Sequence, residues 1–287
     1  MAQNAALAAT SPQKKSKKRA RRTVNDLNLK EWKKYDDLLT DSLWLFPERD
    51  SSGTHSADYH GNFVPQIPYQ VISRFTKRDE IVLDTFLGSG TTLIEAKKMG
   101  RHGIGLELQE GVAAIAKERI KATDSAYQDA KSRIFVEDSL SHRAKMKVRN
   151  AVHSLGREEL QLIVAHPPYH DIIQFSENPE DLSNAENTEA FCENFGKIFD
   201  VYVPMLEKKR YFVLVIGDKY SGGEWIPLGF YLMQEALKRD LSLKSLIVKN
   251  MAGNRAKRNR ENLWRYRALY GGFYIFKPEY VMIFKKN

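Results

Sequence analysis

A single cysteine, Cys192, is all the thiol this 287-residue chain has. No internal disulfide can form, and neither a thiolate zinc cluster nor an iron–sulfur site can be assembled. Apolar runs of about 18 residues or more are also missing, which rules out a helical membrane span. The first residues lack the apolar stretch of a secretory leader, so the expected location is a reducing cytoplasm, in association with the nucleoid. There is no internal repeat and no G-x-G-x-x-G dinucleotide phrase.

Acidic residues are absent from positions 1–22, which hold Lys14, Lys15, Lys17, Lys18, Arg19, Arg21 and Arg22. Residues 244–287 set only Glu261 and Glu279 against eleven Lys and Arg. With +9 on the whole chain, the stretch between these ends is net acidic. Basic ends on an acidic body suit a polyanion ligand.

The polar opening, residues 1–25, reads as a disordered basic tail. Residues 26–59 read as a helical lead-in and loop, because Leu29, Trp32, Tyr35, Leu38, Leu39 and Leu43 recur at helical spacing up to Leu45. Positions 47–68, with three prolines, Gly53 and Gly61, read as irregular. From 60 to 287 short apolar runs alternate with amphipathic stretches. Strands are expected at 81–84, 103–108, 133–136, 161–165 and 211–216, and helices at 91–99, 110–121, 189–206 and 227–238. A closing hairpin is expected from 273–276 and 280–284 across Lys277-Pro278-Glu279. This is an α/β pattern, a mostly parallel twisted sheet with helices on both faces and a C-terminal antiparallel hairpin.

In such sheets ligands sit beyond the carboxyl ends of the strands, where strand order reverses. Four features fall at strand ends: the turn after Asp84, Glu107, Asp138 and the segment from His166. Phe86-Leu-Gly88-Ser89-Gly90 lets backbone approach a ligand closely, and Thr91 opens a helix whose free N–H groups favour a negative group. Glu107 stands where an acid takes ribose hydroxyls, and Asp138 where one could accept from an adenine amine. Taken singly, Glu107 also reads as a surface acid and Asp138 as a helix cap.

Val82-Leu-Asp84-Thr-Phe86-Leu-Gly88-Ser-Gly90-Thr-Thr92, followed by Gly103-Ile-Gly-Leu-Glu107, resembles the S-adenosylmethionine site of DNA methyltransferases that modify exocyclic amino groups. That family commonly has proline where Thr85 stands. The resemblance implies a Rossmann-like class I methyltransferase domain. It also implies S-adenosylmethionine bound by Asp84, Phe86, Gly88, Ser89, Gly90, Thr91, Glu107 and Asp138. Phe63 and Gln66 lie where family members carry a segment that closes over the methionine end.

The fourth strand ends in His166-Pro167-Pro168-Tyr169. Consecutive prolines fix φ and remove two backbone donors, which leaves a stiff row of carbonyl acceptors backed by an aromatic ring. The family writes this corner Asp, Asn or Ser, then Pro-Pro-Tyr. By resemblance, the first side chain and the Pro167 carbonyl accept the amino protons of a flipped base, and Tyr169 stacks on it. Such acceptors would restore nucleophilicity to a nitrogen whose lone pair is delocalised into the ring. His166 can accept only as a neutral imidazole in the right tautomer, and it hides whether the base is adenine (N6) or cytosine (N4). Cys192 sits in an expected helix, which argues against carbon-5 cytosine chemistry.

Residues 244–270 mix cations, amides and aromatics. Lys249, Asn254, Arg255, Lys257, Arg258, Arg260, Trp264 and Arg265 are the expected DNA contacts. His55 and His60 have no ligand spacing around them, so no metal is expected, and they read as surface or loop residues. The partner is duplex DNA with a flipped base, not a membrane; a homodimer and a cognate restriction enzyme are compatible with the resemblance. An RNA base methyltransferase and a catalytically degenerate nucleic-acid binder remain the competing readings.

Overall fold

The computed structural model describes residues 23–251, 261–275 and 278–287. Ten strands and seven α-helices are formed: β1 (Leu43–Phe46), α1 (Gln66–Phe75), β2 (Ile81–Asp84), α2 (Thr91–Lys98), β3 (His102–Glu107), α3 (Glu110–Ala122), β4 (Ser132–Val136), α4 (His142–Ser154), β5 (Leu160–Ala165), α5 (Thr188–Tyr202), β6 (Leu206–Gly217), β7 (Lys219–Ser221), β8 (Glu224–Ile226), α6 (Leu228–Leu237), β9 (Leu241–Met251), α7 (Glu261–Gly271) and β10 (Glu279–Lys286). Among the described residues no helix is long and apolar enough to cross a membrane.

Eight strands make one sheet in the order β1-β9-β10-β6-β5-β2-β3-β4, and β7-β8 form a separate hairpin. β10 runs against both of its neighbours, whereas every other pair in the large sheet is parallel. The central strands are apolar on both faces because both faces are covered. Ile81 and Leu83 of β2 turn to one side, Val82 to the other. One layer packs α4, α5 and α6 around Phe191, Phe195, Phe199, Phe212 and Phe284; the opposite layer holds Ile67, Val71 and Ile72 of α1. Each such side chain taken fully from water contributes about 1.5–3 kcal/mol. A smaller cluster of Leu93, Ile94, Ala116 and Ile120 joins α2 to α3. Helix starts are set locally: the Ser141 hydroxyl accepts from Ala144 N ahead of α4, and Asn187 accepts from Ala190 N ahead of α5.

Several expectations change. The helical lead-in is shorter than its spacing implies: a 3₁₀ turn at Leu29–Lys34 is followed by β1, whose alternate residues Trp44 and Phe46 are buried. α1 begins inside the stretch read as irregular. The terminal hairpin is built from β9 and β10, with Glu279 opposite Lys249; 273–275 join no strand, and Phe276 lies outside the described residues. α4 was not anticipated. Its polar residues face outward, and only Ala144, Val148, Ala151 and Val152 are buried.

Strand order reverses between β2 and β5, which pair through Val82–Leu162 and Asp84–Val164. The crevice beyond the carboxyl ends of these two strands is where this architecture places ligands.

Candidate active site

The turn after β2 is held open by glycine and shut from behind by polar bonds. Gly88 (φ +53°) and Gly90 (φ +95°) take left-handed conformations. A Cβ on Gly90 would come within 3.2 Å of Ala116 Cβ and Ile120 Cδ1, so this glycine also lets α2 approach α3. Asp84 is buried, and its Oδ1 accepts from Phe86 N at 2.9 Å, which fixes the turn. Burial pushes its pKa up to about 6 against the bonds from Thr92 and Phe86. Behind the turn Asn62 and Arg119 hold the Ser89 hydroxyl.

Glu107 ends β3. Its Oε2 accepts from Gly88 N and its Oε1 from Gln109 N, both at 2.9 Å. Each oxygen keeps lone-pair capacity for a further donor. Burial raises its pKa above the ordinary carboxylate value. Asp138 follows β4, and its Oδ1 accepts from Leu140 N at 2.9 Å. The helix cap that follows is Ser141, so Asp138 does not serve as one.

The corner after β5 faces the same space. One cavity is lined by Phe86, Gly88, Glu107 and Asp138 together with His166, Pro167, Pro168 and Tyr169. The glycine turn and the proline corner therefore share a chamber. Phe63 packs edge-on against the His166 ring, with centroids 4.8 Å apart. Burial holds the His166 pKa down to about 4, against the pull of Glu279, so the imidazole is neutral at neutral pH. Tyr169 rests on Gly217, and its phenol donates to Glu279 Oε1 at 3.0 Å. Burial, and then the Glu279 charge, push that phenol well above its ordinary range.

The loop beyond Tyr169 is braced internally. His170 has φ +54° and is buried, with Nε2 3.0 Å from the Ala185 carbonyl and Nδ1 2.6 Å from Lys219 Nζ. Lys219 also bonds Asp171 at 2.7 Å, so His170 and Asp171 shape the loop. Asp218 accepts from Trp225 Nε1, Tyr280 OH and Gly229 N and is committed to the β7–β8 hairpin.

Other expected residues lie elsewhere. Phe63 backs His166 and does not line the cavity. Gln66 bridges the Glu48 carbonyl and Asp50 N, away from it. Asp84, Ser89, Gly90 and Thr91 support the turn from behind the wall. Lys249 is buried and paired with Glu279 at 2.6 Å, so it is not a phosphate contact. Arg265 is exposed and Trp264 half-buried, both on α7 outside the cavity lining. Asn254, Arg255, Lys257, Arg258 and Arg260 lie outside the described residues. His55 is a loop residue but not a surface one; it is buried against Glu95 at 2.7 Å. Cys192 is buried in α5, and burial pushes its thiol up to about 11.

Sequence reading missed Tyr59, Thr85, Phe175, Asp181 and Glu279 in the cavity wall. Tyr59 and Phe175, 6.2 Å apart, roof the chamber over Gly61 and Gly88. The available signal for Glu279 was its isolation as an acid in a cationic stretch.

The order β4-β3-β2-β5-β6-β10-β9 with β10 reversed, and a ligand cavity at the β2–β5 switch, defines a class I, Rossmann-like methyltransferase fold. The crystal structure of TrmN from Thermus thermophilus superposes on 78% of this chain and 49% of that one, at a TM-score of 0.50 and 16% identity. Residues 3–118 match the N6/N4 methyltransferase family model, described as DNA methylase. The Type II methyltransferase M.ScaI of Streptomyces caespitosus is 38% identical over 84 residues, 28% of either chain. M.HindIII of Haemophilus influenzae is 50% identical over 50 residues, 17% of this chain and 16% of that protein. The matches span 28% and 16% of these relatives' length, and the family-model match ends before the proline corner.

Proposed function

We propose that the protein methylates the exocyclic amino group of adenine (N6) or cytosine (N4) in duplex DNA, with S-adenosylmethionine as donor and the target base flipped out. The observation that carries this reading is the single cavity shared by the glycine turn and His166-Pro167-Pro168-Tyr169.

The wall suits the donor. Gly88 leaves room that a Cβ would take up, 3.0 Å from Tyr59 Cε1. Thr85 lines the cavity with a buried hydroxyl that has no partner. Glu107 and Asp138 supply acceptors for hydroxyl and amino donors, and Phe86 and Leu108 supply apolar surface. When bound, the donor supplies an electrophilic sulfonium methyl. The chain's own work is to hold the base: Tyr169 offers a ring face for stacking, and Pro167 and His166 offer acceptors to the amine. Both prolines deny the corner competing backbone donors.

Within this reading the basic residues of 1–25 and of 244–270 other than Lys249 contact the DNA backbone, with Arg265 and Trp264 on α7, and the protein sits at the nucleoid. The Type II naming of the relatives favours a cognate restriction enzyme, and a second copy of the chain would share sequence recognition.

The test is transfer of a radiolabelled methyl group to duplex DNA and to total RNA, followed by nucleoside mass spectrometry. N6-methyladenine or N4-methylcytosine in DNA is expected. Methylation of RNA alone, or DNA binding without any methylated product, overturns the reading.

A further inference from the structure

The chain bends sharply straight after the proline corner, and a residue with a side chain makes the bend. His170 has φ +54°, in the left-handed region that glycine enters freely and other residues enter at a cost. Residues on both sides of it line the cavity: Tyr169 before the bend, and Ile172, Ile173 and Phe175 after it. The conformation of His170 therefore sets the wall of the chamber beside the corner.

The imidazole is clamped from several sides. Nε2 lies 3.0 Å from the Ala185 carbonyl, Nδ1 lies 2.6 Å from Lys219 Nζ, and the ring stacks on Phe191 with centroids 5.5 Å apart. A carbonyl only accepts and an ammonium only donates, so Nε2 carries the proton and Nδ1 is the acceptor. Lys219 is itself buried, and Nζ also donates to Asp171 Oδ1 at 2.7 Å. That bond holds the Asp171 carboxyl below its ordinary pKa, so the ammonium faces an ionised partner. Lys219 opens β7 just beyond Gly217, against which Tyr169 lies, and Asp218 between them is tied to Trp225, Tyr280 and Gly229. The 217–219 stretch thus meets Tyr169 and His170 in succession from a fixed base. The far end of the loop is held separately: Phe175 N donates to Ser183 Oγ at 3.2 Å, and Ser176 Oγ to Asp181 Oδ2 at 2.8 Å.

We infer that Lys219 is a positioning residue for methyl transfer: by clamping His170 in the left-handed conformation, it holds Tyr169 in place for the target base. The base as recipient rests on the function proposed above; the clamp does not. Buried as it is, Lys219 is not a phosphate contact, and its charge acts on the loop. Strain held in place by surrounding bonds next to a reacting group is a recognised way of fixing a site before its ligand arrives.

Glycine at position 170 separates this role from a plain loss of packing, because glycine takes the bend without a clamp. K219M leaves no buried charge, since the Asp171 side chain is 56% exposed and water can take over its oxygen. It should lower kcat for methyl transfer about tenfold or more and keep affinity for S-adenosylhomocysteine within about twofold of wild type. H170A, with neither the contacts nor the freedom, should fall as far. H170G should stay within about threefold of wild type, and H170G/K219M within about threefold of H170G. H170N, of a residue type that also enters this region, should follow H170G and carries the same comparison where the glycine variant folds poorly. Full activity of K219M, a loss in H170G and H170N as deep as in H170A, or an equal loss from K219M in the H170G background overturns the inference. The ¹³Cα and ¹³Cβ shifts of His170, assigned by their disappearance in H170G, read the backbone without turnover. They should leave the left-handed range in K219M, and unchanged shifts overturn the clamp. Absence of methyl transfer by wild type would count against the proposed function alone, since these shifts still decide the clamp.

Discussion

Tyr169 lies directly against the Gly217 α-carbon, so that a Cβ there would meet the ring Cε2 at 2.9 Å. The last residue of β6 thus sets where the Tyr169 ring of the proline corner can sit. G217A should push that ring out of register with Glu279. Methyl transfer should fall about tenfold or more while cofactor binding stays within about twofold. Single-turnover rates beside calorimetric binding of S-adenosylhomocysteine would separate the two.

Glu107 takes two backbone N–H groups and retains acceptor capacity toward the cavity. E107A removes the acceptor and frees the Gly88 and Gln109 amides. Affinity for S-adenosylhomocysteine should drop about 10–100-fold, the worth of about 1.5–3 kcal/mol for bonds to a charged group. Unchanged affinity would remove Glu107 from the cofactor site.

His166 titrates near 4 in the folded chain, below the ordinary histidine value. Its neutral form is the one the fold prefers, so its contribution to stability is complete above about 6.5 and fades as pH falls toward 4. The urea midpoint of H166N should therefore change less between pH 7.5 and pH 5 than that of wild type. Parallel pH dependence in the two proteins would contradict the assignment.

Gly90 combines a φ of +95° with close packing on Ala116 and Ile120. G90A should cost about 1–3 kcal/mol of stability from backbone strain, in addition to any repacking. Urea unfolding monitored by circular dichroism measures it, and a midpoint equal to wild type would mean that the turn tolerates a side chain.

Arg265 and Arg267 are exposed on α7. If both neutralise phosphates, R265Q/R267Q should make the slope of log K against log salt shallower by about 1.8. An unchanged slope places the electrostatic contact elsewhere.

What could be read from the sequence was chemistry confined to a few consecutive residues. The Gly88–Gly90 turn and the Pro167-Pro168 corner announce themselves, because their backbone restrictions are written in residue type. Glu107 and Asp138 followed from their places at strand ends. Glu279 was not legible. Its partner Tyr169 is 110 residues away, and only the β10 register brings the two together. Lys249 was misread for the same reason, since on an alternating strand a cation can face inward to an acid that the sequence does not pair with it. β9 itself was obscured by counting its lysines as ligand contacts when Leu241 and Ile247 are buried.

β1 lies along β9 with Leu43 opposite Val248, so one edge of the sheet pairs two segments that lie far apart in the chain. At 5–20 residues per second on the ribosome, Trp44 and Phe46 wait about 10–40 s for the strand they need. During that interval they form a sticky, unpaired segment of a growing polypeptide. The enclosure of the sheet is thus a late event in the protein's making, and this early segment is where a chaperone would have most to shield.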